Sequence, residues 1–406
     1  MPTEAHVCFV SLSTYPLFDP SVDSNFGGSE VRGWLFGTGL AKLPGYRVSF
    51  IVLDHGQGAM RRFGRVDVHA HSLYRAAALQ PVRAPAAGLW SRIGRRVRAL
   101  LAPKPFTVGD YAIGPEKLET YQRVDADVYC TFGVGNATAD IAAFCRAHGK
   151  KFVLFAGSSD DFSASYRADS IEYNAYGSRG DVCHYAIRNA DAVITQTDDQ
   201  KRLLRERFSL EGTTIRNPFD LSGVSEPLAF GQGPRTALWI GKSDLVKQPL
   251  VLLQLARLCP SVPFRMVMNR ANARVFEQVQ AEKPANVEII ERVPFGESDA
   301  LFRQAYVLVN TSVFEGFPNA FLQAGKYGVP ILSLQVDPDG FIAASDCGAS
   351  AGGNLAALAG QLESLCREPA RRDQCGRRAY RYVQEHHRIE DKIAGLDAIL
   401  RELVPG

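Results

Sequence analysis

A carboxylate, two lysines and an amide mark where this chain could do chemistry. Glu315 stands in the turn Glu315-Gly316-Phe317-Pro318, after the apolar run Tyr306–Val309. A helix-forming stretch, Asn319–Tyr327, follows and stops at Gly328; a second apolar run, Val329–Leu334, comes next. Strand, turn, helix and strand make one βαβ unit. The carboxylate then falls at the C-terminal end of a parallel strand, where doubly wound folds bind ligands. It also sits just before a helix start, whose amides attract anions. Gln323 lies about one turn inside that helix. Helical side chains lean toward the N-terminus, so its amide can point back toward a ligand held at Glu315. The plainer reading of Glu315 is a turn residue that interacts with its own helix.

The lysines follow another strand. Thr236–Ile240 ends in Gly241-Lys242-Ser243, with Lys247 shortly after. Two cations after a strand end and near a helix start suit a phosphate or a pyrophosphate. The segment is not a P-loop, because Thr236 stands where that motif needs its first glycine. The plain alternative is a pair of solvated surface lysines. Gly133-Val134-Gly135 resembles half of a dinucleotide fingerprint, but Thr138 replaces its third glycine. His69 and His71 share one face of the strand Val66–His71, with no third metal ligand nearby. No nucleophile elbow and no Cys/His pair in a nucleophile context is present.

The elements that must position these groups alternate along the whole chain. Expected strands are His6–Leu12, Arg47–Leu53, Ala126–Phe132, Phe152–Phe155 and Ala192–Thr195, with helices at Ser29–Leu43, Val182–Arg188 and Asp198–Phe208. Ser29 suits the N-cap of the first helix, and Gly27-Gly28 before it would let the backbone approach a ligand. The second half repeats the pattern with helices Leu250–Leu258, Ala273–Glu282 and Ser298–Ala305 and strands Pro263–Met268 and Val287–Ile290. Such alternation predicts an α/β protein with parallel sheets. Leu221–Arg235, rich in Gly, Pro and Ser, reads as an interdomain linker. The expected division is a first domain over 1–220, a linker over 221–235, a second domain over 236–385, and a closing helix over 386–406 that returns to the first domain.

With 406 residues the chain can fill two domains, and 46% hydrophobic with 22% charged residues describes a globular protein. A net charge of +3 gives no argument for nucleic acid. No apolar run is long enough to span a membrane, and the start MPTEAHVCFVSLS lacks a basic leader region. Eight scattered cysteines without a C-x-x-C pair suggest reduced, buried thiols and a cytoplasmic protein. One stretch departs from this average: no acid occurs between Asp67 and Asp110. Within it, Ala86–Ala102 sets Leu89, Trp90, Ile93 and Val97 at helical spacing among Arg92, Arg95, Arg96 and Arg98. A basic amphipathic helix with a tryptophan can lie on the anionic inner face of a cell membrane; it can equally dock on its own domain.

The segment EGFPNAFLQAGKYGVPILS resembles the nucleotide-sugar site of retaining GT-B glycosyltransferases, in particular glycosyltransferase family 4. GGSE at Gly27–Glu30, the turn TIRNPFD, GKSDLVKQP at Gly241–Pro249 and RVPF at Arg292–Phe295 match the same family in its order and spacing. The resemblance covers about Val7 to Leu334. It implies two Rossmann-like domains facing across a cleft. It also implies transfer of a sugar, with retention and without a metal or other cofactor, from a UDP- or GDP-type donor. The acceptor would be a glycan, a lipid-linked glycan or a small molecule, and the setting cell-surface polysaccharide or glycoconjugate synthesis. Glu315 would contact donor-sugar hydroxyls. The amides of Phe317 to Ala320, Asn319 among them, would face the sugar and diphosphate, with Gly316 also in the donor-binding set. Lys242 and Lys247, with Gly241 beside them, would neutralise the leaving diphosphate. Gln323 would hold the ribose, Val293 would meet the base through its backbone, and Gly27 and Gly28 would lie near the diphosphate and acceptor. Two positions depart from the family: Gln323 replaces its second Glu, and Lys242 its Arg. Instead of the usual His-containing acceptor loop, the chain has Ser158-Ser159-Asp160-Asp161, which puts Ser159 and Asp160 at the acceptor side.

Overall fold

The computed structural model describes residues 4–75, 106–108, 111–113, 115–174, 176–227, 235–293 and 297–404. The basic stretch with Trp90, Arg92, Arg95 and Arg96 lies outside them, as do residues 228–234 of the expected linker. Contacts divide the chain into two compact units. One comprises Met1–Phe155, Asp161–Ile194 and Asp397–Gly406; the other comprises Ala156–Asp160 and Thr195–Leu396.

The first unit carries β1 (Ala5–Val10), β2 (Tyr46–Asp54), β3 (Met60–Phe63), β4 (Val66–Arg75), β5 (Phe106–Val108), β6 (Tyr111–Ile113), β7 (Val128–Phe132), β8 (Lys151–Phe155) and β9 (Ala192–Thr195). Its helices are α1 (Tyr15–Phe18), α2 (Gly28–Leu40), α3 (Pro115–Val124), α4 (Asn136–His148) and α5 (Gly180–Arg188). The strands run in the order β9-β8-β7-β1-β2-β4-β3. All neighbours are parallel except β3, which pairs antiparallel with β4. β5 and β6 form a separate antiparallel hairpin. The central strands read as unbroken apolar runs because helices cover both faces of a parallel sheet. Phe9, Val48, Phe50, Tyr129, Phe152 and Leu154 are fully buried. His69 and His71 are strand residues in this packing; His71 meets the Tyr121 ring edge-on, with centroids 5.5 Å apart.

The second unit carries α6 (Asp198–Phe208), β10 (Thr213–Thr214), β11 (Ala237–Lys242), α7 (Pro249–Leu258), β12 (Phe264–Asn269), α8 (Ala273–Glu282) and β13 (Val287–Ile290). It continues with α9 (Ser298–Gln304), β14 (Val307–Asn310), α10 (Asn319–Lys326), β15 (Ile331–Ser333), α11 (Phe341–Ser345) and β16 (Gly348–Ser350). α12 (Leu355–Arg367) and α13 (Pro369–His386) close it, and α14 (Ile389–Leu403) belongs to it only as far as Leu396, its remainder counting with the first unit. The sheet order is β13-β12-β11-β14-β15-β16, parallel throughout. Successive residues of β11 point to opposite faces. Ala237 and Trp239 enter one core with Leu252, Met266 and Leu362, whereas Leu238 enters another with Leu308, Phe321 and Phe341.

The division by contacts differs from a boundary at residue 220. Thr195–Phe219 counts with the second unit because its side chains bond there. Arg216 pairs with Asp339 at 2.6 Å, Asn217 donates to the Phe317 carbonyl at 3.0 Å, and Phe219 is buried beside Leu238 and Phe321. At the other end Tyr46 donates to Asp397 at 2.6 Å, within the first unit.

Candidate functional site

Two loops at the C-terminal ends of neighbouring strands β11 and β14 carry the charged groups. The loop after β11 is shaped from within: Asp244 Oδ1 accepts the Lys247 amide at 2.8 Å. It is then fastened to the loop after β14. The Val313 amide donates to the Val246 carbonyl at 2.8 Å, and Thr311 Oγ1 donates to the Lys247 carbonyl at 2.7 Å. Trp239, buried in β11, holds Thr311 in place through its indole N–H at 2.9 Å. Gln248 takes a left-handed conformation (φ 49°) so that Pro249 can start α7.

This fastening brings Lys247 Nζ onto Glu315 Oε1 as an ion pair, with side chains 26% and 16% exposed. Ser312 donates to the same oxygen at 2.7 Å. The pair is half-buried, so its field is weakly screened and it still reaches solvent. Lys242, at the end of β11, forms no ion pair among the described residues. Gly241 beside it lies under the Trp239 ring, where a Cβ would come within 2.6 Å. The sequence-expected group Lys242, Lys247 and Glu315 therefore sits on adjacent parallel strand ends.

The turn after Glu315 is held by residues from far along the chain. Gln196, at the end of β9, accepts the Phe317 amide at 3.1 Å and donates to the carbonyls of Ala156 and Gly157 at 2.7 and 2.8 Å. The Phe317 amide, expected to face a sugar or diphosphate, here donates to Gln196. Gly316 faces the same knot. A Cβ there would come within 2.5 Å of the Gly157 carbonyl and closer still to the Gln196 amide. Asn217 donates to the Phe317 carbonyl and, at 3.4 Å, to Asn319 Oδ1. His387 in turn bonds the Asn217 carbonyl through Nδ1 at 2.8 Å. A carbonyl only accepts, so Nδ1 carries the proton. Burial holds the His387 pKa down to about 3 and keeps the ring neutral. The Phe317 side chain points inward and packs against Phe341 and His387, with centroids 5.0 and 4.7 Å away.

α10 starts at Asn319, with Pro318 ahead of it. Gln323 lies one turn inside, 8% exposed, and its amide donates to Ser298 Oγ at 2.9 Å. Ser298 opens α9, so Gln323 couples the two helices. Val293 is half-buried against the core that contains Phe321, and Pro294 and Phe295 lie outside the described residues. Ser159 sits against the Glu315 backbone: its amide and hydroxyl both approach the Glu315 carbonyl at 3.4 Å. Asp160 is half-buried beside it.

At Gly27–Glu30 the structure corrects the expected cap. α2 starts at Gly28 with Gly27 as N-cap, and Glu30 accepts the Gly27 amide at 2.7 Å and the Ser29 hydroxyl at 2.9 Å. The Gly27 amide is therefore committed to Glu30. The Gly133-Val134-Gly135 turn is also filled from within: Asp161 accepts the Val134 amide at 3.2 Å and Ser178 Oγ the Asn136 amide at 3.3 Å. Those amides hold protein groups, not a pyrophosphate. All eight cysteines are free thiols, and burial pushes several up, Cys347 to about 12. Among the described residues no helix is long and apolar enough to cross a membrane. No group of three or more His, Cys, Asp or Glu there is placed to hold a metal ion.

Gln196 and His387 were missed in the sequence, and Asn217 stood out only as part of the turn TIRNPFD. A signal for Gln196 existed, since it stands at the C-terminal end of a parallel strand. None existed for His387.

No protein-family model matches the chain, and no curated protein matches it by sequence. Solved structures do match. A sucrose-phosphate synthase from Thermosynechococcus elongatus superposes with a TM-score of 0.71 at 16% identity, covering 98% of this chain and 99% of that one. HepE from Anabaena, in complex with UDP-glucose, gives 0.66 at 12% identity over 98% and 99%. TarM from S. aureus, in a complex containing UDP, gives 0.62 at 12% identity over 96% and 98%. At such identities the likeness establishes the fold: two parallel-sheet α/β domains of the GT-B type.

Proposed function

We propose that the chain is a retaining, metal-independent glycosyltransferase of family 4 type that takes its sugar from a UDP- or GDP-sugar. The observation that carries the reading is the half-buried Lys247–Glu315 pair beside Lys242, on adjacent strand ends of a GT-B fold. Two similar structures, HepE in complex with UDP-glucose and TarM in a complex containing UDP, support it.

In this reading the bond between the sugar anomeric carbon and the diphosphate oxygen breaks, leaving an oxocarbenium-like sugar and a growing negative charge on the phosphate. Lys242 and Lys247 lie where that charge develops, and preorganised cations lower the barrier most when they stabilise charge formed in the transition state. The acceptor hydroxyl attacks from the face the diphosphate leaves, and its proton passes to the departing phosphate oxygen. The configuration is retained and no protein nucleophile is needed. Glu315, oriented by Ser312 and Lys247, accepts hydrogen bonds from sugar hydroxyls. Gln323 reaches the ribose through its carbonyl oxygen, because its amide already serves Ser298. The acceptor is a glycan, a lipid-linked glycan or a small molecule. The protein works in the cytoplasm, at the inner face of the membrane if the segment Ala86–Ala102 binds it.

A binding-only protein is the second reading. It is favoured by the saturation of the site from within, since Glu315 and Gln323 both have protein partners already. The test is incubation with a panel of UDP- and GDP-sugars, followed by proton NMR of released sugar or product. Release of the nucleoside diphosphate with an α-anomer first from an α-linked donor supports transfer with retention. Tight donor binding with no release, with or without acceptors, selects the binding-only reading.

A further inference from the structure

We propose that the second unit carries another ligand site, separate from the Lys247–Glu315 loops, that takes a small phosphorylated compound. A cavity of about 420 Å3 opens between the start of α11 and the end of α13. It does not include Lys242, Lys247 or Glu315. Its size is in the range of ordinary small-molecule sites. Arg216, Arg378 and Arg381 line it, with Tyr382 and Phe341 as an aromatic wall.

The charge in this cavity is unevenly satisfied. Arg216 is held by Asp339 at 2.6 Å and by Asp198 at 3.1 Å, which fixes its guanidinium at the wall. Arg378 pairs with Asp346. Arg381 forms no ion pair among the described residues, and Glu385 is the remaining carboxylate of the lining. His386, also in the lining, is held below its ordinary pKa by burial and by Arg216. Arginine forks match phosphate oxygens bidentately, and an aromatic wall suits the carbon skeleton attached to them.

The cavity also shares a wall with the turn that follows Glu315. The Phe341 and Tyr382 rings lie 4.6 Å apart, and Phe341 packs at 5.0 Å on Phe317. A ligand seated there would stiffen the packing behind that turn.

Calorimetric titration of the full chain with inorganic phosphate and with glucose 6-phosphate tests the proposal. Arg381→Glu and Lys247→Ala serve as the two arms, and circular dichroism checks that each is folded. Binding that persists in Lys247→Ala and weakens tenfold or more in Arg381→Glu is expected. Glucose 6-phosphate binding more tightly than phosphate would identify a sugar phosphate, and equal affinities inorganic phosphate alone. Binding lost in Lys247→Ala but unchanged in Arg381→Glu, or no binding of either probe to the wild type, would overturn it.

Discussion

Glu315 and Lys247 depend on each other in a way that separates stability from activity. Glu315→Gln keeps an oxygen for Ser312 but removes the charge facing Lys247. The ion pair is partly solvated, so its loss should cost stability only about 1 kcal/mol. Turnover should fall by about a hundredfold or more, equivalent to about 3 kcal/mol of barrier. Comparing kcat/KM with the urea midpoint checks this, and near-wild-type turnover in the variant would remove Glu315 from the site. Gln323→Glu makes a subtler probe. The new carboxylate reverses the bond to Ser298, accepting from its hydroxyl where the Gln323 amide now donates to it. Donor affinity should therefore be preserved or improved, and its complete loss in a calorimetric titration would show that residue 323 does not face the ribose. The charged residues were legible because they follow strands and precede helices. Their supports were not, because Asn217 and Gln196 lie 100 and 121 positions from Phe317, and His387 lies 170 from Asn217.

At the scale of elements, the strand–turn–helix–strand unit around Glu315 emerged close to its expected form: β14 is Val307–Asn310, α10 Asn319–Lys326 and β15 Ile331–Ser333. Apolar periodicity and the stop at Gly328 sufficed for that. Periodicity carries no information on how tightly two elements approach. α10 lies against α13 so closely that a Cβ on Gly325 would meet Val383 and come within 2.9 Å of the Ala379 carbonyl. Gly316 is confined in the same way by Gln196 and Gly157. Gly316→Ala should therefore destabilise by about 1–3 kcal/mol, since the backbone contact has no slack to absorb a methyl group. The variant should also displace the segment Ala156–Asp160, with faster hydrogen exchange there. Unchanged stability and exchange would mean that this knot is loose in solution. Within the first unit's main sheet the antiparallel strand is β3: nothing in Met60–Phe63 signals direction, which is set by pairing alone.

For the whole molecule, contacts group Thr195–Leu396 with the second unit, whereas the Gly- and Pro-rich stretch reads as a linker only from composition. The molecule's acid behaviour follows from buried imidazoles. Burial lowers His6 and His71 to about 4 and His387 to about 3. Each is neutral in the folded chain and takes a proton near pH 6.5 when unfolded. The unfolded state then binds more protons as pH falls below about 6.5, so stability is full above that value and is lost progressively toward pH 3–4. Each histidine contributes a slope of up to about 1.4 kcal/mol per pH unit within that window. Urea unfolding at a series of pH values should show the decline, and His387→Phe should reduce its steepness. A flat profile between pH 6.5 and 4 would contradict the buried neutral rings.

The central claim, that Lys242, Lys247 and Glu315 form the donor site, is tested most directly by titrating UDP and GDP calorimetrically into the wild type and into Lys242→Ala and Lys247→Ala. One nucleotide should bind the wild type, and each substitution should weaken it at least tenfold while circular dichroism stays unchanged. Binding of neither nucleotide, or equal binding in all three proteins, would contradict the account.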